Sequence, residues 1–463
     1  MSLYYLLLLF TRFHTDPRVG MTLFYAGFVR VTPVKVVGLL TIFAALAAQR
    51  PADAAPRLKN GMGLVFFAFA ALQILEVLAY RLPTPSDSMS ALVSIGLLLI
   101  ATRALINTEE RMRKAVRAMI LASAFASLWL YKQHFIQHIT RVDGIEGDPN
   151  YESLTLVTGL PLAVWMVRYE TGAWWKRVGA VCAGLMAGGV LLTESRAGVI
   201  AAVVMGLAAV VVSRRKMLTL GLLVIVLAAG VVLAPAGLGA RFHSIKLEGT
   251  ATNGDEESAR IHVELLKAGL AMIKSYPLTG VGLERFKDTA PDFNPELLQV
   301  AGRRFIAHDT YIQIAAETGL PVLILFLALM TAAIMNCRAV RGSSNAPLAR
   351  MATAMQLGLM GFSIAAASMT AEYVTTFWIL VFLSQNLREI AAENLTPVAR
   401  RNDTHAGTVI GLKGREVDSA ESKPRSPEFE QNAAVLDENC RAGLYKFTKQ
   451  NSHASPRSRS LEF

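Results

Sequence analysis

The chain has 463 residues, of which 53% are hydrophobic and only 17% are charged. Soluble domains carry about 25% charged residues, so the composition excludes a soluble enzyme, a secreted disulfide scaffold and a nucleic-acid-binding domain as the main interpretation. The net charge of +11 is better explained by Lys and Arg in the cytoplasmic loops of a membrane protein than by a nucleic-acid partner.

The apolar residues fall in blocks of roughly 16–20 residues, the length that a helix needs to cross the bilayer core. The blocks lie at 33–49, 61–80, 91–107, 117–131, 153–167, 178–193, 198–213, 217–234, 318–337, 351–370 and 374–391. Shorter apolar stretches at 3–13 and 19–32 predict one more span and a partial or interfacial segment. The fold class predicted is an all-α polytopic membrane protein with about 12 transmembrane helices.

These blocks divide the chain into four parts. Residues 1–234 hold the N-terminal transmembrane helices, 235–307 form a long loop, and 308–391 hold the C-terminal transmembrane helices. From 392 to 463 the composition is rich in Ser, Glu, Lys, Arg and Asn and shows no apolar period, which predicts a disordered tail.

The long loop is expected to contain helical structure. Ile261, Leu265, Ala268 and Met272 recur at spacings of three and four residues, which is typical of an amphipathic helix. The apolar stripe predicts that this helix lies on the membrane or on the transmembrane bundle.

Basic residues occupy every second loop and so predict the orientation of the chain. They are Arg50, Arg57, Lys59, Arg103, Arg111, Arg113, Lys114, Arg117, Arg168, Lys176, Arg177, Arg214, Arg215, Lys216, Arg338, Arg341 and Arg350. Because Lys and Arg collect in cytoplasmic loops, these loops and the tail are predicted to be cytoplasmic. The 235–307 loop is then on the outer side of the membrane.

Arg196 follows Glu194 and Ser195 inside an otherwise apolar run from 178 to 213. A charge at such a depth is costly and marks a functional candidate. The alternative is an Arg–Glu pair that only decorates the outer turn of a helical hairpin.

His308 follows Arg303 and Arg304 and is expected to open the helix that leads into the 318–337 span. A neutral imidazole at the outer mouth of a bundle can act as a general base near neutral pH. The alternative is a histidine that only caps the membrane interface.

Arg260 is expected to begin the loop helix, with Glu264 and Lys267 on its polar face. By spacing alone, a solvated helix face is the better interpretation. Farther along the loop, the glycine pair in Gly280-Val281-Gly282 predicts a turn rather than a phosphate-binding loop.

Asp148-Pro149-Asn150 precedes the 153–167 span. Asp148 suits an N-cap and Pro149 the first helical position, so this motif predicts the start of a helix. No cluster of Asp, Glu, His or Cys has metal-ligand spacing in the sequence, and no metal is predicted.

Four motifs in this order resemble the bacterial O-antigen ligase and polymerase family. They are Gly147-Asp148-Pro149-Asn150; Glu194-Ser195-Arg196-Ala197-Gly198; Ser258-Ala259-Arg260 with Tyr276 to Gly282 and Phe286; and His308-Asp309-Thr310-Tyr311 with Glu317 to Pro321. The resemblance covers about residues 140–390 and includes the long loop. Where the family often has Asn after the histidine, this chain has Asp309.

The resemblance implies an inverting, metal-independent and cofactor-free glycan transfer at the periplasmic face of the bacterial inner membrane. The donor would be a glycan on undecaprenyl pyrophosphate, and the acceptor a hydroxyl of lipid A–core. Guanidinium groups bind a pyrophosphate bidentately, and a base takes the acceptor proton. The family pattern therefore implies that His308 is the base. The predicted substrate-binding residues are Arg196, Arg260, Arg303, Arg304 and Asn150.

The motifs leave the acceptor open. It could instead be a second lipid-linked glycan, as in a polymerase, or a protein hydroxyl, as in an O-oligosaccharyltransferase. A lipid-glycan transporter without chemistry is a further alternative, but it would be expected to carry charges near the bilayer midplane and internal repeats. Membrane lipids are expected partners in every case, and nucleic acid in none.

Overall fold

The computed structural model describes residues 2–10, 24–26, 29–31, 33–47, 61–79, 87–145, 147–233, 235, 237–239, 254–297 and 304–393. By its contacts the chain divides into Met1–Pro397 and Val398–Phe463, and every described residue belongs to the first unit. The predicted tail, 392–463, lies outside the described residues except for its first two, which end the last helix.

Regular structure in the described part of the chain is helical apart from one small hairpin. The first helices are α1 Ser2–Phe10, α2 Pro33–Ala47, α3 Gly61–Ala79, α4 Asp87–Leu105, α5 Glu109–Tyr131, α6 Pro149–Tyr169, α7 Ala173–Leu192, α8 Arg196–Val212 and α9 Lys216–Leu233. The later helices are α10 Gly254–Ser275, α11 Phe286–Phe293, α12 Thr310–Arg341, α13 Ala346–Ala365 and α14 Thr375–Glu393. Strands β1 Phe24–Ala26 and β2 Val29–Val31 pair antiparallel, within the stretch predicted as a partial or interfacial segment.

Every apolar block that predicted a span coincides with a helix. Among the described residues, seven helices are long and apolar enough to cross a membrane: α3, α4, α5 with the π-helical turn that follows it, α7, α9, α12 and α13. Shorter apolar helices lie in α2 and α8. The class of polytopic helical membrane protein is therefore confirmed, while the number of about 12 spans stays a prediction.

Two further helices are as long as the others but more polar. Helix α6 has 21 residues and α14 has 19, so each is about 30 Å long. Both are buried along most of their length, so they meet protein rather than lipid. Helix α9 is the opposite case, because its apolar residues remain exposed on the surface of the bundle, as a helix facing lipid requires.

Aromatic side chains fill the centre of the bundle around Trp378. Its ring centroid lies 5.3 Å from that of Phe66, 5.7 Å from Phe69, 6.2 Å from Phe326 and 5.2 Å from Phe377. Such pairs contribute about 0.5–1.5 kcal/mol each beyond their burial. The cluster holds α3, α12 and α14 together.

Among the described residues, three of the basic stretches meet at one end of the bundle. Arg113 and Arg117 of α5 bind the buried carboxylate of Glu170 at 3.2 and 2.6 Å. Burial opposes ionisation of Glu170, but the two arginines hold its pKa below the usual range. Asn345, before α13, donates to Glu109 at 3.2 Å. These contacts define the basic end, where α5 and α13 begin and α6 ends.

We predict that the basic end is cytoplasmic and the 235–307 loop periplasmic. In a background without Cys182, Cys337 and Cys440, Ser275→Cys should react with an impermeant maleimide in intact spheroplasts. Ser275 is exposed at the end of α10. The matched control, Ser344→Cys, is exposed before α13 and should react only after permeabilisation. The reverse pattern of labelling would show that the predicted orientation is wrong.

Candidate functional site

Helix α6 begins at the motif predicted to start it. Asp148 is the N-cap and accepts a hydrogen bond from the Asn150 N–H at 2.7 Å, and Pro149 is the first helical residue. The predicted helix start is thus confirmed. The cap leaves the Asn150 side chain available to bind a neighbouring helix.

That neighbour is α8. The Ser195 hydroxyl donates to Asn150 Oδ1 at 2.8 Å, and it accepts from the Gly198 N–H at 3.2 Å as the N-cap of α8. The helices approach closely here, because a Cβ on Gly198 would overlap the Ser153 hydroxyl of α6. Arg196, the first residue of α8, therefore lies beside Asn150.

The surroundings of Arg196 are charged and half-buried. Arg196 is itself half-buried, and Glu194 before it is buried with a positive φ of 50°. The carboxylate of Glu194 lies against the backbone at Gly237. A helix N-terminus carries roughly +0.5 of an elementary charge, so Arg196 adds its charge where the backbone is already electropositive.

Helix α12 begins at the same end of α6. Its N-cap, Asp309, accepts from the N–H groups of Tyr311 and Ile312 at 2.8 and 2.9 Å. Burial raises the pKa of Asp309, against the effect of these two hydrogen bonds. Thr310 donates to the Met369 carbonyl at 2.6 Å, which joins the start of α12 to the segment between α13 and α14.

The same segment reaches α6. The Tyr151 hydroxyl donates to the Thr370 carbonyl, and the Thr370 hydroxyl donates to Gln313 Oε1 of α12 at 3.4 Å. The N-terminus of α6 therefore contacts that of α8 directly and is linked to that of α12 through residues 369–370. We refer to this end of the bundle as the motif end; α6 runs about 30 Å from it to the basic end.

His308 lies just before α12 and does not open the helix, so that part of the prediction is wrong. Its φ is 51°, in the left-handed region that non-glycine residues occupy at a cost. Both neighbours are fixed, since the Ala307 N–H donates to Gln313 at 2.8 Å and Asp309 caps the helix. The strained backbone thus gives the half-buried imidazole a defined position.

The predicted loop helix is confirmed as α10, with Leu265, Ala268 and Met272 fully buried. It begins at Gly254, so the expectation that Arg260 begins it is wrong. On its flank, the His262 ring centroid lies 5.2 Å from that of His308. Arg260 is exposed and lies about 200° around the helix from His262.

Glu264 is buried rather than solvated, which corrects its predicted place on a polar face. Its carboxylate accepts from Lys267 and from Asn294 at 2.8 Å each. The hydrogen bonds from Lys267 and Asn294 hold the pKa of Glu264 below its usual range. Glu264 and Lys267 both lie within the electrostatic reach of Arg260.

The remaining predicted arginines are at the surface or undescribed. Arg304 forms an exposed ion pair with Asp288 of α11 at 2.8 Å. Exposed pairs contribute about 0–1 kcal/mol, so Arg304 can exchange this partner for a bound anion at little cost. Arg303 lies outside the described residues.

Two of the family-like motifs pack directly against each other. The N–H of Val281 donates to the Ala316 carbonyl at 2.9 Å, and the N–H of Leu320 donates to the Pro277 carbonyl at 2.8 Å. Gly319 has a φ of 79°, and a Cβ there would overlap the Leu278 carbonyl. The glycine therefore allows the 277–286 segment to lie against the kinked start of α12, and the predicted turn at 280–282 lies within this segment.

Glu317 stabilises the packing of the 277–286 segment on α12. Its carboxylate accepts from the N–H groups of Glu284 and Phe286 at 2.9 Å each. The Glu284 carboxylate in turn accepts from the N–H and hydroxyl of Ser88 at the start of α4 at 2.8 and 2.6 Å. Burial, with a smaller effect of the Glu284 charge, raises the pKa of nearby Glu372 to about 7. Glu317 thus holds the loop in place and does not orient His308.

Sequence reasoning missed three polar residues at this end: His262, Glu284 and Glu372. The histidine two residues after Arg260 was a visible signal, but only the packing of α10 on α12 brings its ring to His308. Within the described ranges, no group of three or more His, Cys, Asp and Glu side chains could hold a metal ion.

These observations define a polytopic helical membrane protein with a histidine- and arginine-containing candidate site at one end of its bundle. Residues 181–327 match the family model for O-antigen ligase, so the resemblance to that family is confirmed. The match covers Arg196, Arg260 and His308 and indicates a function like that of O-antigen ligases and polymerases. No curated protein matches the chain.

We predict that Gly319→Ala weakens the packing of the 277–286 segment. The change adds a Cβ at a positive φ and against a carbonyl, and should cost about 1–3 kcal/mol. It should lower the melting temperature in detergent and speed proteolysis within 277–286. Gly184→Ala in α7 is the matched control, because a Cβ there meets open space. Equal melting temperatures for the two variants would contradict the packing described.

Proposed function

We propose that the protein transfers an oligosaccharide from undecaprenyl pyrophosphate to a hydroxyl of lipid A–core, at the periplasmic face of the bacterial inner membrane. The observation that carries this proposal is the convergence of three helix N-termini at the motif end. Asn150, Arg196 and His308 lie at or next to these N-termini. The match to the O-antigen ligase family supports it.

The electrostatics of the motif end suit a pyrophosphate. The N-terminus of α8, whose cap is the neutral Ser195, contributes roughly +0.5 of an elementary charge, and anions bind readily at such a terminus. Those of α6 and α12 already carry the carboxylate caps Asp148 and Asp309. Arg196 adds a guanidinium at the start of α8, and its planar fork matches the oxygens of a phosphate. Arg260, Arg303 and Arg304 supply further positive charge from the long loop. In the proposed mechanism these groups take over the charge neutralisation for which a metal would otherwise serve.

His308 is the proposed general base. The acceptor oxygen attacks the anomeric carbon of the first sugar as His308 takes the hydroxyl proton. The bond from that carbon to the pyrophosphate oxygen breaks, and undecaprenyl pyrophosphate leaves with the electron pair. Attack from the face opposite the leaving group inverts the anomeric configuration. Stabilising the charge that develops on the leaving group is usually the largest contribution to catalysis, and this task falls to Arg196.

The same proposal sets the membrane topology. We count α6 and α14 among about 12 spans, because both are long enough to cross the bilayer. The basic end faces the cytoplasm together with the 392–463 tail, and the motif end and the 235–307 loop face the periplasm. The collection of Lys and Arg in alternate loops supports this orientation.

Reconstitution in liposomes tests the reaction. With a lipid-linked oligosaccharide, lipid A–core and excess EDTA, we expect glycosylated lipid A–core. A lengthened lipid-linked glycan would instead make the protein a polymerase, and a glycosylated protein acceptor would make it an O-oligosaccharyltransferase. Movement of the donor across the bilayer without any product would contradict the proposal. Loss of activity in EDTA, restored by Mg²⁺ or Mn²⁺, would overturn the charge neutralisation by arginine alone.

Single substitutions separate the proposed roles. His308→Ala should lower turnover by about 10²-fold or more with little change in donor binding, because the imidazole contacts the acceptor. Arg196→Ala and Arg260→Ala should weaken both donor binding and turnover. Lysine in place of either arginine should support donor binding and turnover poorly, since it lacks the bidentate fork.

Arg214→Ala is the matched arginine control, because Arg214 is exposed beyond the opposite end of α8. It should bind donor and turn over normally. A folded His308→Ala protein with near-normal turnover would show that another group activates the acceptor, with Asp309 the next residue to test.

A further inference from the structure

Two imidazoles from different parts of the chain face each other at the motif end. The ring centroids of His262 and His308 are 5.2 Å apart, with 34° between the ring planes. Phe305 packs near His308 with its ring centroid at 6.0 Å. At this separation two rings can exchange a proton directly or through one water molecule.

Both rings sit on well-supported backbone. His308 is fixed by the hydrogen bonds of its neighbours, as described above. Helix α10 is held against α12 at Gly269, where a Cβ would overlap Ile312. Its buried residues Leu265 and Ala268 fix the rotation of the helix and so the direction of His262. The pairing of the rings therefore follows from packing and not from a mobile surface side chain.

The two rings differ in their exposure. His262 is exposed, whereas His308 is half-buried. A proton that arrives at His308 therefore has a more exposed imidazole beside it. Histidine is suited to this task because its ordinary pKa lies near neutral pH.

We propose that His262 is a second histidine of the site, positioned to accept a proton from His308 and to release it to water. The inference rests on the proposed function of His308 as the base. As one nitrogen of His308 takes the acceptor proton, its other nitrogen gives a proton to His262. His262 then passes the proton from its second nitrogen to solvent. His262 acts through His308 and is a positioning residue.

Three acidic groups on the surrounding elements are held by other partners. On α10, Glu264 binds Lys267 and Asn294. Asp309 caps α12, and on α11 Asp288 pairs with Arg304. Arg260 lies on the other flank of α10 from His262.

The pH dependence of the reaction distinguishes this role from a structural one. If both imidazoles must be neutral, log kcat/KM for the acceptor should rise with a slope of about two on the acid limb. His262→Gln should reduce this slope to about one, because a single histidine then titrates. It should also lower kcat by about tenfold at neutral pH, less than the loss expected for His308→Ala. KM for the donor should not change.

Lys274→Gln is the control on the same helix, because Lys274 is exposed in the last turn of α10. It should keep both the wild-type turnover and the wild-type slope. Since His262 is exposed, His262→Gln should fold normally, which intrinsic fluorescence and gel filtration can verify.

The outcomes separate this inference from the function on which it rests. If His308→Ala is inactive while His262→Gln has the wild-type slope and turnover, the proposed role of His262 is refuted. The proposed role of His308 as the base is then unaffected. If His308→Ala is active, the proposed base fails and the role of His262 fails with it.

Discussion

The packing of residues 277–286 against the kinked start of α12 decides where the long loop can lie. Backbone hydrogen bonds join the two segments, and Gly319 makes room for them. The buried carboxylate of Glu317 completes the contact by accepting from two N–H groups of the loop. A buried carboxylate without such partners would be strongly destabilising. The loop and α12 therefore need each other, and α10 is placed beside His308 as a result.

A second consequence is that the residues of the proposed site come from several elements. Arg196 is fixed by α8, which is bound to α6 through Ser195 and Asn150. His308 is fixed by the cap of α12, and His262 arrives on the loop helix. In the proposed mechanism, Arg196 of the bundle and the arginines of the loop face the leaving pyrophosphate, while the two histidines that handle the acceptor proton lie where loop and bundle meet.

Much of the fold followed from the sequence because its causes are local. Apolar blocks of bilayer length predicted the helices, and Asp148-Pro149 predicted the start of α6. The spacing of apolar residues in the loop gave α10. The sequence did not predict the contacts between distant segments. The positive φ of His308, the burial of Glu264 and the pairing of His262 with His308 depend on packing across tens of residues. Composition alone does not encode them.

The central claim is that the lipid-linked donor places its pyrophosphate at the motif end. Photo-crosslinking tests it most directly, with undecaprenyl pyrophosphate carrying a diazirine on the isoprene unit next to the phosphates. We expect mass spectrometry to find the label in residues 147–151, 195–198 and 304–312, with competition by unlabelled donor. The contrasting region is the basic end, for example residues 109–117 and 170–177, around a cavity of about 470 Å³ lined by Arg113 and Arg117 among others. Competed labelling there, with none at the motif end, would contradict the account.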